Sequence, residues 1–97
     1  MPTYVTLVKW TDQGIRAVKE SPKRLDAVRE AARRQGGQLK DFYLVMGEYD
    51  LVVVFDFPAD EPYTSTVLAI ASQGNVRTTS LRAYSEDEYR RIIAAIP

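Results

Sequence analysis

The sequence predicts an α+β fold built on one antiparallel sheet. Four segments are rich in β-branched and aromatic residues, and two segments with helical apolar spacing lie between them, each followed by glycine. A third helical segment closes the chain. Since 97 residues are enough for one hydrophobic core and too few for two, we expect a single domain over residues 1–97.

The first strand and the first long helix are marked by their residue types. The strand is predicted over Thr3–Trp10, and a polar connector with room for one helical turn at Ile15–Val18 follows it. Ser21 suits an N-cap, Pro22 suits the first helical position, and the pair Gly36–Gly37 is a helix stop. The buried stripe recurs at helical spacing and consists of Leu25, Val28, Ala31 and Ala32.

A hairpin and a second helix follow. Strands are predicted at about Gln38–Met46 and Tyr49–Phe57, and they are joined at the turn "GEYD". The second helix begins near Asp60 as its cap and ends at Gly74. Its predicted inner face consists of Tyr63, Val67, Ile70 and Ala71.

The chain closes with a strand and a capped helix. The segment "NVRTTSLRAY" predicts the fourth strand. Ser85 and Glu88 then form a capping-box pattern. The apolar stripe of this terminal helix consists of Tyr89, Ile92, Ile93 and Ile96.

The resulting order is β-α-β-β-α-β plus a C-terminal helix, which is the ferredoxin-like arrangement. It predicts an antiparallel sheet in the strand order 4-1-3-2, with both long helices on one face.

The third strand predicts that the sheet does not stand alone. An antiparallel strand with one wet face alternates apolar and polar residues, whereas "LVVVFDF" is apolar on both sides until Asp56. We therefore expect a sheet-to-sheet homodimer, a dimeric α+β barrel. In the alternative, the terminal helix Ser85–Ile96 covers the second face within one chain. The face away from the helices is predicted to carry Tyr4, Val8, Trp10, Val52 and Val54.

Composition excludes several function classes. The chain has no cysteine and no histidine, so it lacks the commonest metal ligands and the commonest general base, and we expect no metal site and no cofactor. The 13 basic residues balance 13 acidic ones, which gives no net field to attract nucleic acid or an anionic membrane. No apolar run approaches the ~18 residues of a membrane span. With no secretion-signal pattern at the N-terminus, the expected location is the cytoplasm.

Two groups of polar residues are candidates for a binding site. On the outer sheet face, Tyr4, Asp56 and Arg82 are expected to lie close together. They form either a buried ion pair that fixes the dimer register or the polar groups of a small-molecule cavity. Trp10, with Tyr4, offers a ring for stacking an aromatic ligand, and core packing is the alternative role.

The second group lies at one end of the sheet, where the strand order brings "GEYD" next to "WTDQG" and "GNVRTT". Gly47 suits a positive φ, and Asp50 suits either backbone N–H groups of neighbouring loops or a pair with Arg77. In these roles, Gly47 and Asp50 only hold the loops in place. In the functional alternative, a ligand or a second dimer is contacted by Thr11, Gln13, Tyr49, Asp50 and Arg77.

The segments "WTDQG", "MGEYD" and "GNVRTT" together resemble the GYD domain family over nearly the whole chain. This resemblance implies a dimeric α+β barrel and no established activity. A looser similarity links the βαββαβ chain and its turn to the effector-binding domains of Lrp/AsnC-type regulators. In those proteins the turn lies at an oligomer interface where amino-acid effectors bind.

Two functions are consistent with these features. The first is a homo-oligomeric module that binds a small molecule or interacts with a partner. The alternative is a cofactor-independent enzyme of the monooxygenase or isomerase type, working in a cavity between the two sheets. Without histidine, its general base would have to be a carboxylate such as Asp50 or Asp56, a tyrosine or a lysine.

Overall fold

A computed structural model describes all 97 residues. The four strands are β1 (Thr3–Trp10), β2 (Gln38–Leu44), β3 (Leu51–Asp56) and β4 (Val76–Ala83). The four α-helices are α1 (Asp12–Arg16), α2 (Ser21–Arg34), α3 (Asp60–Ser72) and α4 (Glu86–Ala94), and a 3₁₀ turn at Val18–Glu20 precedes α2.

The strands form one antiparallel sheet in the order β2-β3-β1-β4, so the predicted ferredoxin-like α+β fold is confirmed. In the register of the two central strands, Tyr4 lies opposite Phe55 and Val8 lies opposite Leu51. The edge strand β4 pairs with the other side of β1 along its whole length.

Several element boundaries differ from the prediction. The hairpin loop is wider than "GEYD", because Val45 N–H donates to Asp50 O at 2.9 Å and closes a loop in which Gly47 takes φ +130°. The first helical turn is Asp12–Arg16 and not Ile15–Val18, since Thr11 caps it. Ser21 and Asp60 lie just inside their helices instead of capping them.

The core lies between the sheet and the helices α2 and α3. Phe55 and Phe57 are its largest fully buried side chains, and burial of each stabilises the fold by about 1.5–3 kcal/mol. Tyr4 of β1 stacks on Tyr63 of α3 with ring centroids 4.0 Å apart. The remaining core residues are Val8, Ala32, Leu39, Leu51, Val53 and Val67.

The predicted facing of β1 is wrong. Tyr4 and Val8 are buried under the helices, and Trp10 packs partly buried against the same core. Because side chains alternate between the two sides of a strand, Thr6 is buried on the same side as Tyr4 and Val8. The burial of this polar side chain is tolerated because its hydroxyl hydrogen-bonds the Tyr63 hydroxyl at 2.7 Å. Tyr63 in turn donates to Ser80 Oγ at 2.6 Å.

The second face of the sheet is nevertheless apolar. The reversed facing of β1 turns Val5 and Leu7 outward, where they join Val52 and Val54 of β3. Helices cover only the opposite face. We call this surface the free sheet face; it consists of Val5, Leu7, Tyr43, Val52, Val54 and Leu81.

Helix α4 does not cover the free sheet face, so that alternative is wrong. Its capping box is present as predicted, and the hydrogen bond from the Ser85 backbone lowers the pKa of Glu88. No residue of α4 is buried, and its apolar stripe is 47–63% exposed. The radius of gyration, 14.6 Å, exceeds the ~12.5 Å of a compact domain of this length. None of the helices has the length and apolar character needed to cross a bilayer.

Candidate functional site

Three loops meet at one end of the sheet, as predicted. Asp50 joins two of them: its Oδ2 accepts from the Trp10 backbone N–H at 2.9 Å, and its own N–H donates to Val8 O at 2.9 Å. The carboxylate therefore fastens the start of β3 to the end of β1.

Thr11 and Gln13 join the third loop. The Thr11 backbone N–H donates to Asn75 O at 3.0 Å, and its hydroxyl donates to Gly74 O at 2.6 Å while accepting from Gly14 N–H at 3.1 Å. Gln13 Nε2 donates at 3.0 Å both to Gln73 O and to Asn75 Oδ1. Both side chains are thus used to hold the loop after α3 against α1.

Gly14 is required by the closeness of this contact. A Cβ atom at position 14 would lie 1.9 Å from Asn75 O, which is far inside van der Waals contact. The obstacle is backbone, so it has no flexible side chain that can move aside.

The remaining residues at this end are more exposed. Lys9 Nζ lies 5.2 Å from the centroid of the Tyr49 ring and 3.8 Å from Glu48 Oε1. Of the two alternatives expected for Asp50, the bond from a backbone N–H of a neighbouring loop is formed and the pair with Arg77 is not. Arg77 is exposed and lies opposite Lys9 in the sheet register, so two cations face each other at the start of β4.

A second cluster surrounds Tyr4 at the other end of β1. The Tyr4 hydroxyl donates to Asp60 Oδ1 at 2.5 Å, and the Arg82 guanidinium lies 5.7 Å from its ring centroid. Burial, followed by the hydrogen bond to Asp60, raises the pKa of Tyr4 to about 12. The phenol is therefore held in its neutral, donating form, which is unsuited to a general base.

Asp56 does not join this cluster, so the predicted grouping of Tyr4, Asp56 and Arg82 is wrong. Asp56 lies opposite Thr3 in the register and therefore on the free side of the sheet, whereas Tyr4 and Arg82 lie on the helix side. The Thr3 hydroxyl donates to Asp56 Oδ1 at 2.7 Å, and Lys40 Nζ lies 3.5 Å from Oδ2.

Three participants were missed at the sequence level. Asn75 accepts through both its backbone and its side-chain oxygen, and its position after a helix-ending glycine was the available signal. Lys40 lies at the register shift in β2, from where its ammonium group reaches Asp56. Asp60 was interpreted only as a helix cap, whereas its carboxylate accepts the hydrogen bond of the Tyr4 hydroxyl. No group of three acidic side chains is arranged to hold a metal ion.

Comparisons with known proteins give consistent matches. The family model described as GYD domain matches residues 4–93. A Thermus thermophilus protein named glutamine synthetase and cystathionine beta-lyase binding protein is 32% identical over 84 residues, covering 86% of this chain and 88% of that protein.

Solved structures share the fold. The leucine response regulatory protein of Mycobacterium tuberculosis superimposes with a TM-score of 0.64 at 18% identity over 87% of this chain, which spans only 51% of that protein. A second crystal structure, of a protein from Thermus thermophilus, gives a TM-score of 0.56 at 28% identity, over 88% of this chain and 95% of that one. The resemblance to Lrp/AsnC-type domains is confirmed as a likeness of fold.

The Gly14 contact predicts a steric penalty. Gly14→Ala should lower the free energy of unfolding by at least about 2 kcal/mol, because the methyl group forces Asn75 away from α1. Urea denaturation followed by circular dichroism measures this. Ile15→Ala, an exposed position in the same helix, should change stability by less than about 0.5 kcal/mol. Equal effects of the two substitutions would contradict the close-contact argument.

The Tyr4 environment predicts alkaline sensitivity. Because the folded state raises the pKa of Tyr4, its contribution to stability is present below pH 10 and is lost as the pH rises toward 12. The urea concentration at the unfolding midpoint should therefore fall as the pH is raised from 10 toward 12.

Tyr4→Phe should be less stable at pH 8 by about 1 kcal/mol, since the hydrogen bond to Asp60 is lost, and it should show a shallower alkaline decline. The exposed Tyr89→Phe is the control and should decline as the parent protein does. A Tyr4→Phe variant with the parent's alkaline slope would refute this assignment.

Proposed function

The chain belongs to the GYD domain family, and we propose that it is a homodimeric interaction module that recognises an enzyme through helix α4. The observation that carries the proposal is the presence of two separate apolar surfaces that one copy leaves uncovered. These are the free sheet face and the stripe of Tyr89, Ile92 and Ile93 on α4, which Ile96 continues just after the helix ends.

The total surface of the chain supports a missing partner. One copy exposes 6656 Å². A folded monomer of 11.0 kDa is expected to expose about 5,600 Å², so the excess is about 1,000 Å². A standard protein interface buries about 800 Å² on each partner. The excess is therefore at least as large as one partner's share of a standard interface.

The free sheet face is the surface suited to self-association. Its aliphatic centre lies on the two central strands. Charged groups lie at its ends, with Asp56 and Lys40 at one end and Lys9 and Arg77 at the other, and Asp41 of β2 lies beside Val54. Two such faces packed about a two-fold axis remove both patches from water. The dimer interface and the site of enzyme recognition then lie on different surfaces.

The stripe of α4 is the surface suited to a different partner. Its residues recur at the i, i+3, i+4, i+7 spacing of a helix that binds in a groove. The relative from Thermus thermophilus is named for binding glutamine synthetase and cystathionine beta-lyase. We therefore propose a metabolic enzyme of this kind as the partner, with glutamine synthetase as the first candidate.

The dimer proposal predicts the effect of a buried charge. Leu7→Lys places an ammonium group on the free sheet face directly opposite Val52 and Thr79, neither of which is acidic. Burying this unpaired charge costs several kcal/mol in an interface and should weaken the dimer at least about 100-fold. Size-exclusion chromatography with light scattering should give a dimer mass for the parent and a monomer mass for the variant. Circular dichroism should show an intact fold in both.

Leu68→Lys is the matched control, because Leu68 is 63% exposed on the outer side of α3. This variant should remain dimeric. A parent protein that is monomeric at 100 µM, or a Leu7→Lys variant that is still dimeric, would refute the role of the free sheet face.

Enzyme recognition predicts a separate loss. In a pull-down and in biolayer interferometry with purified glutamine synthetase of the same organism, the parent should bind. Ile93→Glu should abolish binding because it places a charge in the apolar stripe, while the dimer mass stays unchanged. Ala94→Glu, on the opposite side of α4, is the control and should bind as the parent does.

A variant Ile93→Glu that binds normally would contradict enzyme recognition by α4. If the same variant instead becomes monomeric, α4 belongs to the dimer interface and the division between the two surfaces is wrong.

A further inference from the structure

The structure contains an apolar cavity that neither the dimer nor enzyme recognition uses. It has a volume of about 140 Å³ and lies between the sheet and the helices α2 and α3, on the side opposite the free sheet face. Of its 20 lining residues, 14 are hydrophobic. We call it the helix–sheet cavity; its main apolar walls are Trp10, Leu25, Val28, Phe42, Val67 and Ile70.

The cavity is left open because α2 fills its side of the core poorly. The residues of α2 that line it include the small Ala27 and Ala31, and Leu25 and Val28 are only partly buried. A dry apolar cavity of about 150 Å³ is known to accept benzene, so a volume of this size holds a single six-membered ring. The size of the occupant is therefore limited to a small aromatic or branched aliphatic group.

The rim of the cavity carries a half-buried cation. Arg24 lines the cavity and donates to Ala17 O at 3.1 Å and to Gly14 O at 3.3 Å. A guanidinium has five N–H donors, so these two bonds leave others free. The seven ion pairs of the chain do not include Arg24. A positive charge without a carboxylate partner thus lies beside an apolar volume.

We infer that the helix–sheet cavity binds a small apolar monoanion, with its hydrocarbon part among the core side chains and its carboxylate on Arg24. Aromatic and branched aliphatic carboxylates of roughly six to nine heavy atoms fit both requirements. Apolar contact supplies the affinity, and the charge-assisted hydrogen bond selects the anion over a neutral molecule of the same shape. This site is independent of the proposed dimer and of α4.

The single tryptophan of the chain, Trp10, lines the cavity and reports its occupancy directly. Titration with benzoate at constant ionic strength should change the Trp10 emission saturably. The melting temperature should also rise by at least about 2 °C at ten times the dissociation constant, since the ligand binds only the folded state. Acetate, an anion without the ring, should have no effect, and neutral benzamide should bind at least about tenfold more weakly.

Three variants test the site. Ala31→Leu fills the cavity and should remove the benzoate response without loss of fold. Arg24→Gln should weaken benzoate binding at least about tenfold and leave benzamide binding unchanged. Ala94→Leu, the same type of change on α4, is the control and should respond to benzoate as the parent does.

Three results would overturn the inference. The first is the absence of a saturable Trp10 response in the parent, and the second is an unchanged response in Ala31→Leu. The third is equal binding of benzoate and benzamide by both the parent and Arg24→Gln. That result would show that Arg24 does not recognise the carboxylate. None of these readouts uses glutamine synthetase or the dimer mass, so failure here is distinguishable from failure of the proposed function.

Discussion

The two central strands are apolar on both sides, and two long helices cover only one of these sides. This imbalance governs the rest of the structure. The core residues Phe55 and Tyr63 are stabilised beneath the helices, while Val52 and Val54 are turned toward solvent on the other side. Burial of apolar area is the main favourable term in folding and in association, so a chain that leaves such a face open has a free-energy reason to associate. The terminal helix adds a second exposed apolar surface and does not relieve the first.

The residues that characterise the family act mainly as connectors. Asp50 fastens β3 to β1, Thr11 caps α1 while bonding the loop after α3, and Gly14 allows the closest approach of the two loops. These contacts hold the three segments together, because side chains of two of them satisfy backbone groups of the neighbouring loops that a sheet end would otherwise leave unpaired. The surfaces proposed for recognition lie elsewhere, on the outer sheet face and on α4, where apolar character alone is needed.

The proposed ligand cavity and the proposed dimer surface lie on opposite sides of the same sheet. One is narrow, ringed by half-buried side chains and provided with the cation Arg24. The other is an apolar surface on the central strands, with charged groups at its two ends and Asp41 beside it. Their shapes suit different occupants, because a small molecule needs to be surrounded to gain affinity whereas a second protein needs a wide complementary surface.

The sequence by itself determined the element order, the capping of the terminal helix and the meeting of the three loops. These features depend on local signals: the capping box of Ser85 and Glu88 forms as written, and strand order alone brings the three loops together. Tertiary structure decided which way β1 faces, because a shift of one position exchanges every side chain between the two sides of a sheet. Thr6 is buried only because Tyr63, 57 residues away in the chain, satisfies its hydroxyl. The separation of Asp56 from Arg82, the exposure of α4 and the cavity beneath α2 follow from packing between distant segments, which no local pattern specifies.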